Sequence, residues 1–184
     1  MNNTNLDRQA GYTLIELVVV IGLTVLLLIT VVSLFFTSLT AGGKTSSAVY
    51  TKQVGDYTMS RIQFALRNAH KIVPNSNGDI CTSGMASIAV ENTDLGVTEF
   101  LGETAAGVNH IASNSGLFLT PDDVSVVAGP QFDCSPSTYG TSRYDGSAPT
   151  VTVSFTLRKG NMGVDKTRDI VEIPFQSQIT LRNF

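Results

Sequence analysis

The sequence predicts an α+β protein: a long N-terminal helix, transmembrane in its first half and amphipathic in its second, packed on a C-terminal antiparallel β-sheet head. Three observations carry this. From Leu17 to Phe36 every residue is Leu, Val, Ile, Phe or Gly except Thr24, Thr30 and Ser33, and no charge follows Glu16 until Lys44. A helix of about 20 such residues spans the hydrocarbon core of a bilayer. No proline occurs before Pro74, so nothing forces a helix that begins near Tyr12 to stop before Val73. Near the C-terminus, Val151, Val153, Phe155 and Leu157 alternate with Thr152, Ser154, Thr156 and Arg158, the period of a strand with one buried and one wet face.

Residues 1–11 are polar, apart from Leu6 and a few small residues, and end in Gly11. Glu16 then stands at the start of the apolar run. An ionised carboxylate at the centre of a membrane helix costs on the order of 3 kcal/mol, less near the ends, unless it meets a partner. No cation is within helical reach, because Arg8 is eight residues back and Lys44 lies beyond the span. Cleavage after Gly11 would create an α-amino group on Tyr12, four residues before Glu16 and about one helical turn away. That amine, in the same subunit or in a neighbour, supplies the missing charge.

A polar leader ending in Gly11, then Tyr12-Thr13-Leu14-Ile15-Glu16-Leu17, then about 20 apolar residues, resembles the class III signal of type IV prepilins and type II secretion pseudopilins. The resemblance covers roughly Arg8 to Leu39. It implies a cut between Gly11 and Tyr12 by a membrane prepilin peptidase, N-methylation of Tyr12 by the same enzyme, and pairing of Glu16 with the amine of an adjacent subunit during filament assembly. Further implied partners are other pilin or pseudopilin subunits, an inner-membrane assembly platform and, before assembly, the lipid bilayer. The implied location is the cytoplasmic membrane, leader inside and head outside, and then an extracellular or periplasmic filament. Tyr12 replaces the more usual Phe, and Arg8 beside Asp7 leaves the leader without a basic excess. Two other readings are a secretory signal, whose apolar stretch would be only about 7–15 residues long, and a plain single-pass anchor for a binding domain that never polymerises. Positive-inside counting weakly opposes the implied topology, since Arg8 stands alone before the span while Lys44 and Lys52 follow it.

Taken in order, residues 1–11 form the leader, 12–40 the transmembrane or filament-core helix, 41–73 the amphipathic helix of the head, and 74–184 the β-rich head. Ala41-Gly42-Gly43 is the weak point of the helix, where a bend or unwinding is expected. Beyond it, Tyr50, Val54, Tyr57, Ala65 and Ile72 share one side, with Ile62, Leu66, Ala69 and Val73 adjoining and Arg61 intruding. That side should pack on a sheet. Asn75-Ser76-Asn77-Gly78-Asp79 is turn chemistry. Short strands are expected at Ile88 to Val90, Phe100-Leu101, Val108 to Ile111, Leu117 to Leu119 and Val124 to Val127, and a loop over Pro130 to Pro149. A last alternation through Val171, Ile173, Phe175, Ile179 and Leu181 should pair with the strand around Phe155 as a hairpin. Pro174 places it at an edge or turns its missing donor outward. The ending Gln178 to Asn183 resembles the last strand of minor pilins and pseudopilins, a shorter and less specific match than the leader.

Composition excludes several functions. The net charge is −3 and the charged fraction 15%, so no global field draws the chain to nucleic acid, and Lys44, Lys52, Arg61, Arg67 and Lys71 scatter around the helix instead of forming a basic face. Nucleic acid is not indicated as a partner. Cys81 and Cys134 lack metal-ligand spacing, and in an oxidising compartment they favour a disulfide, with two unpaired thiols as the alternative. The Asn75 to Asp79 stretch lacks the full acidic spacing of a calcium loop. His70, read as late in the helix, and His110, read as in a strand, belong to no catalytic motif. Asp122-Asp123 after Pro121 reads as a turn. No catalytic residue, metal or cofactor is expected, and the chain itself is the substrate of a processing enzyme.

Overall fold

The computed structural model describes residues 12–142, 145–160 and 170–182. Helix α1 spans Leu14–Asn68 and is followed by seven strands: β1 Lys71–Val73, β2 Ser87–Glu91, β3 Val97–Ala105, β4 Val108–Ser113, β5 Val124–Ser135, β6 Thr150–Lys159 and β7 Val171–Thr180. The chain divides between Gly42 and Gly43 into two units. Helical hydrogen bonding nevertheless continues through Ala41-Gly42-Gly43, so the expected unwinding there is absent.

In the second unit, β1 to β4 form one antiparallel meander and β5 to β7 another. Between them lies a core of Met59, Ile62 and Leu66 from α1, Ile88, Val90, Phe100 and Ile111 from the first sheet, and Phe132, Val151, Val153, Phe155 and Ile179 from the second. The C-terminal alternation pairs as foreseen, with Phe155 opposite Phe175 and Thr156 opposite Pro174. β7 is the edge strand of its sheet, where a residue without an N–H is tolerated.

Four expectations need correction. The helix does not reach Val73: it stops at Asn68, and Lys71–Val73 is a strand on the edge of β2. His70 therefore follows the helix, its N–H donating to Glu91 O at 2.7 Å. Lys71 pairs with Glu91 at 3.2 Å, and the Ile72 N–H donates to the Tyr139 hydroxyl. Pairing to an available strand edge overrides a helical continuation that only Pro74 limited. The supposed loop from Pro130 begins later, because β5 continues to Ser135. Register shifts between Val126 and Gln131 suspend the pairing where Gly129 (φ 83°) and Pro130 sit, and such a bulge lets a strand absorb both residues. Leu117–Leu119 is no strand, and Phe118 makes only an isolated bridge to Ala112.

The fourth correction concerns the helix face. Tyr50, Val54 and Ala65 pack on the core as expected and Ile62 and Leu66 are buried in it, but Tyr57 is about half exposed, and Thr51, Gly55, Thr58 and Met59 are buried as well. Gly55 is there because Phe175 is: a Cβ added to Gly55 would clash with the Phe175 ring. Thr58 donates to Leu119 O at 3.1 Å, and Gln63 to Ser177 Oγ at 2.7 Å. Gly55 and Gln63 thus bring the helix close to the second sheet, while Thr58 ties it to the segment between β4 and β5.

Cys81 and Cys134 are joined as a disulfide with Cα atoms 4.9 Å apart, closing a separation of 53 residues. A loop of that length contributes about 4 kcal/mol in the chain-entropy account. Asn75 organises the expected turn, accepting from the Asn77 and Asp79 N–H groups and donating to Ser87 O. Glu99 accepts from the Ser76 N–H and from the Ser87 and Ser76 hydroxyls. Partial burial raises its carboxyl, but these bonds outweigh that and hold it below the ordinary carboxylate range.

Gly55→Ala is expected to destabilise the head by about 1–3 kcal/mol despite the better helix former, because the added methyl displaces a packed ring. Urea unfolding of the full chain in detergent, followed by circular dichroism, measures this, and an unchanged midpoint would contradict the packing account.

Candidate functional site

The candidate site is the start of α1. Tyr12 precedes the helix and is largely exposed, and Thr13 caps it: the Glu16 N–H donates to Thr13 O at 3.1 Å and to Thr13 Oγ1 at 3.3 Å. Thr13-Leu14-Ile15-Glu16 is therefore a capping-box sequence, with Glu16 in the third helical position. There its negative charge also opposes the positive end of the helix dipole. The capping role of Thr13 was missed in the sequence, although the spacing of Thr13 and Glu16 announces it. Among the described residues Glu16 makes no ion pair. Gly11 and the residues before it, where the cleavage site was expected, lie outside the described residues.

Nineteen large apolar side chains between Leu14 and Leu39 are about half exposed or more. The most apolar stretch of the helix has none of its residues buried in the chain. At about 1.5–3 kcal/mol for each such side chain taken from water, the run represents on the order of tens of kcal/mol of unused burial. The threonine hydroxyls within it are satisfied locally. Thr24 donates to Ile21 O at 2.8 Å, Thr30 to Leu27 O at 2.8 Å and Thr37 to Ser33 O at 2.9 Å. These groups can enter an apolar medium without losing a hydrogen bond.

The head offers no catalytic arrangement among the residues singled out for chemistry. His110 is buried in β4, with Nδ1 3.0 Å from Thr120 O and its ring stacked on Phe118. Its Nε2 lies 3.8 Å from exposed Asp122. This fastens the segment after β4 to the sheet. Asp122 and Asp123 lie in a turn. Asp123 accepts from Lys159 Nζ at 2.8 Å and from the Tyr50 hydroxyl at 3.1 Å, while Lys159 Nζ sits 3.9 Å from the Tyr50 ring centroid. Partial burial pushes the Asp123 carboxyl up, but the bonds from Lys159 and Tyr50, with the lysine's charge, hold it below the usual range. Tyr50 is raised by partial burial first and by its bond to Asp123 second. These three side chains latch α1 to the ends of β5 and β6. Among the described residues no cluster of three or more His, Cys, Asp or Glu is placed to hold a metal ion.

Because folding depresses the Asp123 carboxyl, its contribution to stability is present at neutral pH, above the unfolded value of about 4, and is lost as pH falls through the folded value. The gap in Tm between the wild type and Asp123→Asn is therefore expected to be open at pH 7 and to close by about pH 2. A gap independent of pH would contradict the latch.

Comparison with curated proteins finds no match, and neither does comparison with solved structures. Residues 6–32 match the model of the prokaryotic N-terminal methylation motif, a span that takes in Gly11, Tyr12, Thr13 and Glu16 and runs into the apolar helix. The chain thus carries a class III signal, consistent with a type IV pilin or pseudopilin precursor.

Proposed function

We propose that the chain is a non-catalytic structural subunit of a type IV filament, a minor pilin or pseudopilin. The observation that carries this reading is the methylation motif at residues 6–32 in register with a helix whose nineteen apolar side chains find no cover in their own chain. The precursor lies in the cytoplasmic membrane with its leader inside and its head outside. Prepilin peptidase cuts after Gly11 and methylates the Tyr12 amine. The apolar helix then leaves the bilayer for a bundle of like helices, through an inner-membrane platform, and the head is carried into an extracellular or periplasmic filament.

Transfer from lipid to a helix bundle is close to neutral for Leu and Val side chains, since both surroundings are apolar. Register must then come from a polar interaction. Glu16, first-turn carboxylate of one subunit, and the Tyr12 amine of its neighbour supply it, each being costly to leave unpaired in a medium of low dielectric. The head's several strands and terminal hairpin favour a minor subunit over the shaft subunit.

Glu16→Ala is expected to be processed and inserted normally but to enter filaments at less than about one tenth of wild-type abundance, a loss of roughly 1.4 kcal/mol or more per subunit added. Quantitative blotting of sheared filaments reads this, and wild-type abundance would refute the pairing. Gly11→Val is expected to leave an uncut precursor. Mass spectrometry of the native N-terminus separates this reading from a single-pass anchored binding domain: the subunit begins at methylated Tyr12, whereas the anchor retains residues 1–11.

A further inference from the structure

A cleft of about 670 Å³ opens in the head beside the last turns of α1, within the usual range of small-molecule sites. Its floor is apolar, made by buried Phe100 and Leu119. Phe64, which is 67% exposed, and Leu117, which is 54% exposed, also line it. An exposed phenylalanine on a helix whose opposite face is fully packed is surface left uncovered by the fold. Eight of the thirteen lining residues are polar. Some of these are already engaged: Asn92 Nδ2 donates to Thr98 Oγ1 at 3.0 Å, and Ser113 and Ser115 share a hydrogen bond of 2.6 Å. The Asn68 amide, the Thr93 hydroxyl and the Arg61 guanidinium make no side-chain hydrogen bond among the described residues.

Among the described residues the charges of the cleft cancel, Arg61 being its one cation and Asp94 its one anion. A polyanion is not favoured there, because binding to phosphates relies on several cations acting together. The apolar face of a partner helix also fits poorly. It would cover the amides and hydroxyls without offering them partners, at about 1–3 kcal/mol for each group left unsatisfied. What meets both an exposed ring and a set of unclaimed neutral donors and acceptors is a molecule with one face of C–H groups and an edge of hydroxyls. We propose that this cleft binds a neutral oligosaccharide, with a pyranose ring resting on Phe64 and its hydroxyls bonded to Asn68 and Thr93. The site lies wholly in the head and stands whether or not the chain polymerises.

The test uses the full chain in lipid nanodiscs, applied to an array of neutral and anionic glycans, with a single-stranded oligonucleotide of twelve thymidines and an amphipathic helical peptide as contrasting probes. Neutral glycans are expected to bind, with saturation transfer from protein to their ring C–H protons. Phe64→Ala and Asn68→Ala should each weaken binding about tenfold, equivalent to about 1.4 kcal/mol, whereas Phe64→Tyr should retain it. All three variants change exposed positions, and circular dichroism checks that they fold. Absence of any neutral-glycan binding overturns the proposal. So does preference for the oligonucleotide, the peptide or anionic glycans, and so does neutral-glycan binding that both alanine variants leave unchanged.

Discussion

The constraint on which this molecule depends is a helical stretch that its own chain cannot cover. From Leu14 to Leu39 the apolar side chains encircle the helix instead of forming a stripe, so no single face packed against a sheet could bury them. Only a surrounding medium can, whether lipid or a ring of other helices. In such a medium every backbone group must be satisfied within the segment, which an α-helix does and a loop does not. Sequence composition thus dictates both the conformation of this segment and its need for company.

The head poses the opposite problem. Its two antiparallel meanders each have a face to hide, and the second half of α1 supplies Met59, Ile62 and Leu66 to the shared core. Close approach there depends on what is missing from the helix, since Gly55 leaves room for the Phe175 ring. Free edges and long connections are then fastened individually. The Ile72 N–H on the short edge strand finds the Tyr139 hydroxyl, the disulfide joins the turn at Cys81 to β5, and Lys159, Asp123 and Tyr50 latch sheet to helix. Each of these ties closes a long sequence separation, which is where ordering the chain costs most.

Legibility in the sequence followed the strength of periodic patterns. The apolar run and the β6–β7 hairpin were readable because each repeats one signal many times, and the methylation motif because Gly11, Glu16 and the apolar run stand in one fixed register. The end of the helix was not, since Ala69 to Val73 suits a helix as well as a strand, and only the neighbouring β2 decides between them. Strand β5 was hidden by Gly129-Pro130, which reads as a terminator unless a bulge accommodates it. The buried face of α1 was legible in Tyr50, Val54, Ile62, Ala65 and Leu66, but Tyr57 is apolar enough to be counted inward, while the buried Thr51, Gly55 and Thr58 are not. Close packing selects for smallness, and a scale of hydrophobicity does not register that. The cap at Thr13 was legible but unread.

The hydroxyls along α1 show how one helix meets two surroundings. Thr24, Thr30, Thr37 and Thr40 all return their hydrogen bonds to carbonyls three or four residues back, whereas Thr58 reaches Leu119 O, 61 residues away. A hydroxyl can always donate to its own helix, so threonine is tolerated anywhere in an apolar run. A carboxylate cannot follow this rule, because it only accepts, and in the interior of a helix every backbone N–H is already taken. The first turn is the exception, since its N–H groups have no partners within the helix. An ionised residue bound for an apolar medium is therefore best placed where Glu16 stands, three residues after the cap. Moved two turns further on, the same carboxylate would meet neither free N–H groups nor the positive end of the dipole.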